Sequence, residues 1–180
     1  MELKAYTQET PPPLAPVITD DEHFMRLALE QATEAAKQGE VPIGAVVVCT
    51  AADKDAECAQ APTVIATAYN RRELDKDPAA HAELLAIREA ASKFDRWRLS
   101  DCTVYVTLEP CLMCAGLMYQ ARIKRCVYAA ADPKGGALGT LYRLHDDERL
   151  NHSFQVTSGV LAEESSELLQ AFFQDLRKGQ

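Results

Sequence analysis

Tyr105-Val106-Thr107-Leu108-Glu109-Pro110-Cys111-Leu112-Met113-Cys114-Ala115-Gly116 changes character in its middle. The run over 103–107 is β-branched and aromatic, the composition of a strand. Pro110 fits the first turn of a helix, and the apolar residues after it predict a helix through Met118. A strand that passes through a short turn into a helix is the building unit of a layered α/β fold. Upstream, Thr19 or Asp20 can cap a helix whose first turn holds Asp20, Asp21 and Glu22. Phe24, Leu27, Ala28, Gln31, Ala32 and Ala35 follow helical spacing, and Gly39 stops them. Residues 41–48 read as a buried strand with a bend at its start, and residues 63–69 as the strand that returns from a polar loop over 50–62. Asn70 ends that strand, before the charged turn Arg71-Arg72-Glu73. Asp77-Pro78 is expected to open a helix through His81, Leu84, Leu85, Ile87 and Ala90. Downstream come a strand over 125–130, a glycine-rich loop over 133–139, a strand near Phe154-Gln155-Val156, and a helix carrying Leu161, Leu168, Leu169, Phe172 and Phe173. Strands and helices alternate, which predicts an α/β layered domain with helices on the faces of the sheet.

The whole chain is 180 residues, 47% hydrophobic and 26% charged, which is ordinary for one domain with a real core and excludes general disorder. Pro11-Pro12-Pro13 and Pro16 block helix and sheet, so residues 1–18 are expected to be an extended or disordered tail and 19–180 a single domain. No apolar run approaches the ~18 residues of a membrane span. Met1-Glu2-Leu3-Lys4 starts without the pattern of an export signal, so a cytoplasmic protein without membrane attachment is expected.

The formal net charge of −8 argues against nonspecific coating of nucleic acid. The charge is uneven: residues 1–60 hold 4 Lys/Arg against 11 Asp/Glu, whereas residues 71–149 hold 13 against 12. The middle of the chain is therefore where an anionic ligand would find cations. Of six cysteines, Cys49, Cys102 and Cys126 lie in or beside strand-like runs and are expected to be small core residues. Cys58 lies in the polar loop. In a cytosolic chain the thiols are expected to be reduced or metal-bound.

The chemistry concentrates in His81-Ala82-Glu83 and, 28 positions after Glu83, in Cys111-Leu112-Met113-Cys114. Both segments are expected near helix starts. Two cysteines three apart near a helix N-terminus project from one face and are favoured as thiolates. Two sulfurs and one imidazole nitrogen make three legs of a tetrahedron around zinc, with the fourth position left for water. Zinc lowers the pKa of such a water toward ~7, and Glu83 is placed to carry its proton without binding the metal. Taken singly, each feature has a plainer reading. The cysteine pair also suits a thiol redox site, His81 a core or surface residue, and Glu83 simple compensation of a helix dipole.

Together they form the His-x-Glu…Pro-Cys-x-x-Cys signature of zinc nucleobase deaminases. The chain resembles the bacterial tRNA-specific adenosine deaminases over about residues 20–176. The resemblance is carried by Val41-Pro42-Ile43-Gly44-Ala45-Val46, Asn70-Arg71, Ala80-His81-Ala82-Glu83, the 105–116 stretch, Asp132-Pro133-Lys134-Gly135-Gly136-Ala137, Leu150-Asn151-His152, Ser158-Gly159-Val160-Leu161 and Phe172-Phe173.

The resemblance implies a cytidine deaminase-like, three-layer α/β/α sandwich around a mixed sheet of about five strands. It implies hydrolysis of the wobble adenosine of a tRNA anticodon to inosine, with one Zn2+ per subunit held by His81, Cys111 and Cys114. Attack falls on C6 of adenine, and Glu83 protonates N1 and helps ammonia leave. Asn70 would hydrogen-bond the purine, backbone groups near Ala80, Leu108 and Glu109 would line its pocket, and Asp132 would face the ribose region. The implied partners are a tRNA anticodon stem-loop and a second copy of the chain.

Two of these residues also have plainer readings, Asn70 as a strand end and Asp132 as a turn-starter before Pro133. Arg71, Arg72, Lys134, Arg143 and Lys178 are the candidate phosphate contacts, each with surface charge as the plain alternative. Three competing functions remain at this point: a deaminase of free bases or nucleosides, a dithiol redox protein, and a binding module with a structural zinc.

Overall fold

The computed structural model describes residues 20–49 and 62–178. The tail expected over 1–18, most of the loop expected over 50–62, and Cys58 lie outside the described residues. The elements run α1 (Asp20–Lys37), β1 (Gly44–Cys49), β2 (Thr63–Tyr69), α2 (Arg72–Asp75), α3 (Ala82–Lys93), β3 (Cys102–Leu108), α4 (Leu112–Gln120), β4 (Arg125–Ala130), a 3-10 turn (Leu144–Asp146), β5 (Gln155–Ser158) and α5 (Ala162–Lys178).

The five strands form one sheet in the order β2-β1-β3-β4-β5. β1 is antiparallel to β2 and β3, whereas β3, β4 and β5 are mutually parallel. The mixed five-stranded sheet is the one expected. β1 is buried along its whole length and β3 all but its last residue, so their sequences read as continuous apolar runs. Alternation assigns the faces. Ala45, Val47, Val104 and Val106 pack with Ala82, Ala86 and Ile87 of α3 and Ala115 and Met118 of α4. Val46, Val48, Tyr105 and Val127 pack with Phe24, Met25 and Ala28 of α1. α5 lies beside α1 on that second face, where Ser165 Oγ donates to the Thr107 carbonyl. The result is three layers, helix–sheet–helix. Gly44 is where α1 bears on the sheet: a Cβ there would stand 2.0 Å from the Ala28 carbonyl oxygen.

Local starts and stops differ from the expectation in instructive ways. Asp77-Pro78 does not open a helix. The Asp77 carboxylate accepts the Ala79 N–H at 2.8 Å and its carbonyl the Ala80 N–H at 3.1 Å, so residues 77–80 close a turn, and α3 begins at Ala82 with His81 as its N-cap residue. α4 likewise begins after Cys111, which is its N-cap residue. The expected charged turn after Asn70 contains the short helix α2, ended by Lys76 in the left-handed region (φ 52°). Residues 41–43 precede β1 rather than belonging to it. Cys102 and Cys126 are buried free thiols, as expected. Cys49 is buried as expected but disulfide-bonded, not a free thiol.

One polar cluster ties the layers together. Arg125 of β4 donates to both Asp21 oxygens, at 2.8 and 2.7 Å, and to Thr157 Oγ1 at 2.7 Å, while the Tyr105 hydroxyl donates to Asp21 at 2.9 Å. Asp21→Asn is expected to cost about 1.5–3 kcal/mol in urea unfolding, the usual value of a hydrogen bond to a charged group. The Arg125 guanidinium holds the Asp21 carboxyl below its ordinary 3.8. A carboxyl depressed in the folded state stabilises above its unfolded pKa and loses that contribution as pH falls through the folded one. The advantage of wild type over Asp21→Asn is therefore expected to be constant near neutrality, to shrink as pH drops below 3.8, and to vanish in stronger acid.

Candidate active site

β3 and β4 run parallel and deliver their C-terminal ends to the same edge of the sheet. Crevices beyond such ends are where α/β folds bind ligands. There the chain leaves β3 through Glu109-Pro110 and enters α4 with Cys111 as the N-cap residue, in extended conformation (φ −74°, ψ 174°). His81 caps α3 in the same way (φ −75°, ψ 147°). Neither side chain makes a capping hydrogen bond. Instead they turn toward one another. His81 Nδ1 lies 3.7 Å from Cys111 Sγ and 3.5 Å from Cys114 Sγ, and the three donor atoms all lie within 4.8 Å of each other. Cys114 is buried and the other two are half-buried. Hydrogen bonds from the Cys114 thiol and the His81 ring hold Cys111 well below the usual thiol range. The same sharing, with burial, pushes Cys114 up. The contact with Cys111 raises the His81 ring. Two sulfurs and an imidazole on one point are soft and borderline donors that can hold one metal ion.

Glu83 lies in the first turn of α3 and is 4% exposed. Burial drives its carboxyl above the usual range, against the pull of the His81 charge. A buried acid raised in this way beside a set of donors is a candidate proton carrier.

A second carboxylate frames the site. Glu109 is 2% exposed. It accepts N–H groups from Asp132 at 3.1 Å, Leu138 at 3.1 Å and Thr140 at 3.0 Å, and the Thr140 hydroxyl as well. Burial works to raise its carboxyl, and these bonds outweigh burial and hold it below the ordinary range. The glycine-rich loop is thereby wrapped around one side chain. Gly136 of that loop pairs with Cys111, and the Ala137 N–H donates to the Pro110 carbonyl at 2.9 Å. The loop thus buttresses the segment that carries Cys111.

A model of the MafB19-like deaminases matches residues 19–177. The tRNA-specific adenosine deaminase of Bacillus subtilis (strain 168) is 47% identical over 161 residues, 89% of this chain and 93% of that one. The chain belongs to the tRNA-specific adenosine deaminase family. The enzyme of the same description from Haemophilus influenzae is 46% identical over 158 residues, 88% of this chain and 86% of that one. A solved structure from work on A-to-I editing by tRNA:A34 deaminases at the wobble position superposes with a TM-score of 0.72 at 42% identity, covering 81% of this chain and 98% of that one.

In this deaminase the other residues expected at the site are differently occupied. Asn70 is buried, and its side-chain N–H donates to Glu40 Oε2 at 2.9 Å. Ala80 is buried, with its carbonyl accepting the Arg71 N–H and its N–H donating to the Asp77 carbonyl. Leu108 is the last residue of β3, paired with Ala130, whose carbonyl also accepts the Glu109 N–H. Asp132 is half-buried, and its side chain accepts the Lys134 N–H at 2.9 Å, the turn-starting geometry weighed for it.

Sequence reasoning missed two features. Glu40 follows Gly39 in the sequence and no motif marks it, yet it is 1% exposed and grips Asn70, 30 positions away. Glu109 was expected to act through its backbone, whereas its side chain organises the loop. An acidic residue adjoining an apolar run, before Val41-Pro42-Ile43 in one case and after Val104-Tyr105-Val106 and Thr107-Leu108 in the other, is the signal that could have marked both.

Proposed function

We propose that the chain is a zinc-dependent tRNA adenosine deaminase that hydrolyses the wobble adenosine of an anticodon to inosine, releasing ammonia. The observation that carries this reading is the convergence of His81 Nδ1, Cys111 Sγ and Cys114 Sγ on one point with a buried acid, Glu83, two residues from His81. The donor set fits zinc: with Zn–S of about 2.3 Å and Zn–N of about 2.0 Å, the N···S edge of a tetrahedron is about 3.5 Å, beside 3.7 and 3.5 Å here. When bound, the ion supplies a water activated toward pKa ~7.

The remaining steps belong to the chain. Glu83 takes one proton from the attacking water and delivers it to ring N1 as the oxygen adds to C6, then moves the proton of the new C6 hydroxyl to the amine, so that the C–N bond breaks, ammonia leaves and the C6 carbonyl forms. Asn70 reads the purine, the backbone at Ala80, Leu108 and Glu109 lines its pocket, and Asp132 faces the ribose region. Residues 19–180 are the catalytic domain. Leu112, Met113, Leu141 and Tyr142 are exposed apolar side chains around the Cys111–Gly136 pairing, a patch suited to a second copy of the chain. No helix among the described residues is long and apolar enough to cross a membrane. We assign the protein to the cytoplasm, where its substrate is processed.

Of the candidate phosphate contacts, Arg71 is bound to Asp75, Arg143 to Asp146 and Lys178 to Asp175. Arg72 and Lys134 are exposed and have no side-chain partner among the described residues, and the Arg72 charge acts on His81. Arg72→Ala is expected to weaken stem-loop binding and to lower the slope of log K against log salt by about 0.7–1, the share of one phosphate contact.

The test of the whole reading is direct. Purified protein should contain one zinc per chain and convert an anticodon stem-loop with a wobble adenosine to its inosine form, with ammonia released in equal amount. Zinc removal by a chelator should abolish turnover and zinc addition restore it. Ammonia release from free bases alone would reject the tRNA substrate.

A further inference from the structure

Glu40 stands three residues after the end of α1 and is 1% exposed. Its two oxygens are separately engaged: Oε1 accepts the Leu74 N–H at 2.7 Å, and Oε2 accepts the Asn70 side-chain N–H at 2.9 Å. A carboxylate in this role accepts on both oxygens, so only the Nδ2 end of Asn70 can face it. Asn70 is itself 4% exposed, and its Oδ1 and second Nδ2–H have no partner among the described residues. Its backbone is pinned by donation to the Ile43 carbonyl at 2.9 Å. The amide therefore has one orientation and presents one acceptor and one donor in fixed order. That pairing is the complement of the amino donor and N7 acceptor on the adenine edge.

We propose that Glu40 is a positioning residue for substrate recognition: it sets which way the Asn70 amide faces and so fixes the donor–acceptor order with which the site reads a purine. The inference rests on the reading of Asn70 as a substrate contact. The bond from Oε1 to Leu74 gives the inference a sharp consequence. In Glu40→Gln the oxygen of the new amide must stay on the Leu74 N–H, so its NH2 falls where Oε2 was. That NH2 donates, and Asn70 must turn over to accept it. The donor–acceptor order offered to the base is then reversed, with almost no change in volume. Glu40 touches neither the base nor the metal ligands, so the loss falls on binding and not on the chemical step.

The experiment is a double-mutant cycle on zinc-loaded protein with a wobble-adenosine stem-loop: wild type, Glu40→Gln, Asn70→Ala and the double variant, each with kcat, KM, zinc content and thermal midpoint. Asn70→Ala and Glu40→Gln are each expected to raise KM about tenfold, the scale of one misplaced hydrogen bond, with kcat within about threefold of wild type. The double variant is expected to match Asn70→Ala alone, because Glu40 acts only through Asn70. KM effects that multiply in the double variant would overturn the inference while leaving Asn70 as a contact, as would Glu40→Gln with wild-type KM. Asn70→Ala with wild-type KM and kcat would overturn the contact itself and the inference with it. If Glu40→Gln does not fold, Glu40→Asp, which keeps two acceptor oxygens, goes through the same cycle: a KM effect that disappears in the Asn70→Ala background supports the inference, and one that persists there overturns it.

Discussion

Glu83→Gln is expected to lower kcat for the stem-loop about 10³-fold, inside the 10²–10⁴ range of a positioned proton carrier, while zinc content stays at one per chain. The two halves of that expectation come from different observations. Turnover falls because hydrolytic deamination moves protons from water to the ring and to the leaving amine, and Glu83 is the buried acid beside the ligand set. Zinc stays because the three converging donors are His81, Cys111 and Cys114, and Glu83 is not among them. Glutamine keeps the volume of a side chain that is 4% exposed, so no cavity opens. Stability should not suffer. Burial raises the Glu83 carboxyl, and a group whose folded pKa lies above its unfolded one costs stability as pH rises past the unfolded value. The amide removes that cost, so the thermal midpoint of the variant at pH 7 is expected to equal or exceed that of wild type. Unchanged turnover would remove Glu83 from the chemistry. Turnover lost together with zinc would make Glu83 a prop for the ligands instead of a proton carrier.

The dithiol alternative meets the same geometry. A redox pair needs Cys111 and Cys114 and nothing else, yet His81 Nδ1 is brought within 3.7 Å of both sulfurs from a helix 30 residues earlier. That third donor, set at the N-terminus of α3, is what a metal site requires and a thiol exchange does not.

How far the sequence could be read depends on the range of the interaction involved. The strand over 125–130 needed only local composition, and β4 spans Arg125–Ala130. The proposed metal ligands were legible because their chemistry is local too: two cysteines three apart near a proline, and a histidine two before an acid. The start of α3 was misplaced because the Asp77 side chain captured the Ala79 N–H, a choice between turn and helix that composition leaves balanced. Glu40 and Asn70 could not be paired in advance. Their contact joins the end of α1 to the end of β2, and it follows from the antiparallel β1–β2 pairing rather than from any motif. The side-chain role of Glu109 was hidden for the same reason, since its four donors come from residues 132–140 and converge only once β3 and β4 lie side by side.

Gly136→Ala is expected to reduce kcat about 10²-fold, the scale of an ångström's misplacement in an active site. A Cβ at position 136 would lie 2.3 Å from the Glu109 carboxylate, far inside any permitted contact. The carboxylate cannot swing aside, because three backbone N–H groups and the Thr140 hydroxyl hold it and it is 2% exposed. The loop must move instead. Gly136 is also the residue that pairs with Cys111, and the neighbouring Ala137 N–H bonds the Pro110 carbonyl, so the shift passes to the segment that aims the Cys111 sulfur. The α1 face of the sheet packs without this loop, so the thermal midpoint should fall less than activity does. Gly116→Ala is the control, since a Cβ there meets nothing within 4 Å and α4 gains a better helix former. Its kcat is expected to match wild type. Kinetics and zinc content of the two alanine variants, measured side by side, separate a loop that supports the ligand set from one that merely covers it: in the second case Gly136→Ala would turn over as fast as Gly116→Ala.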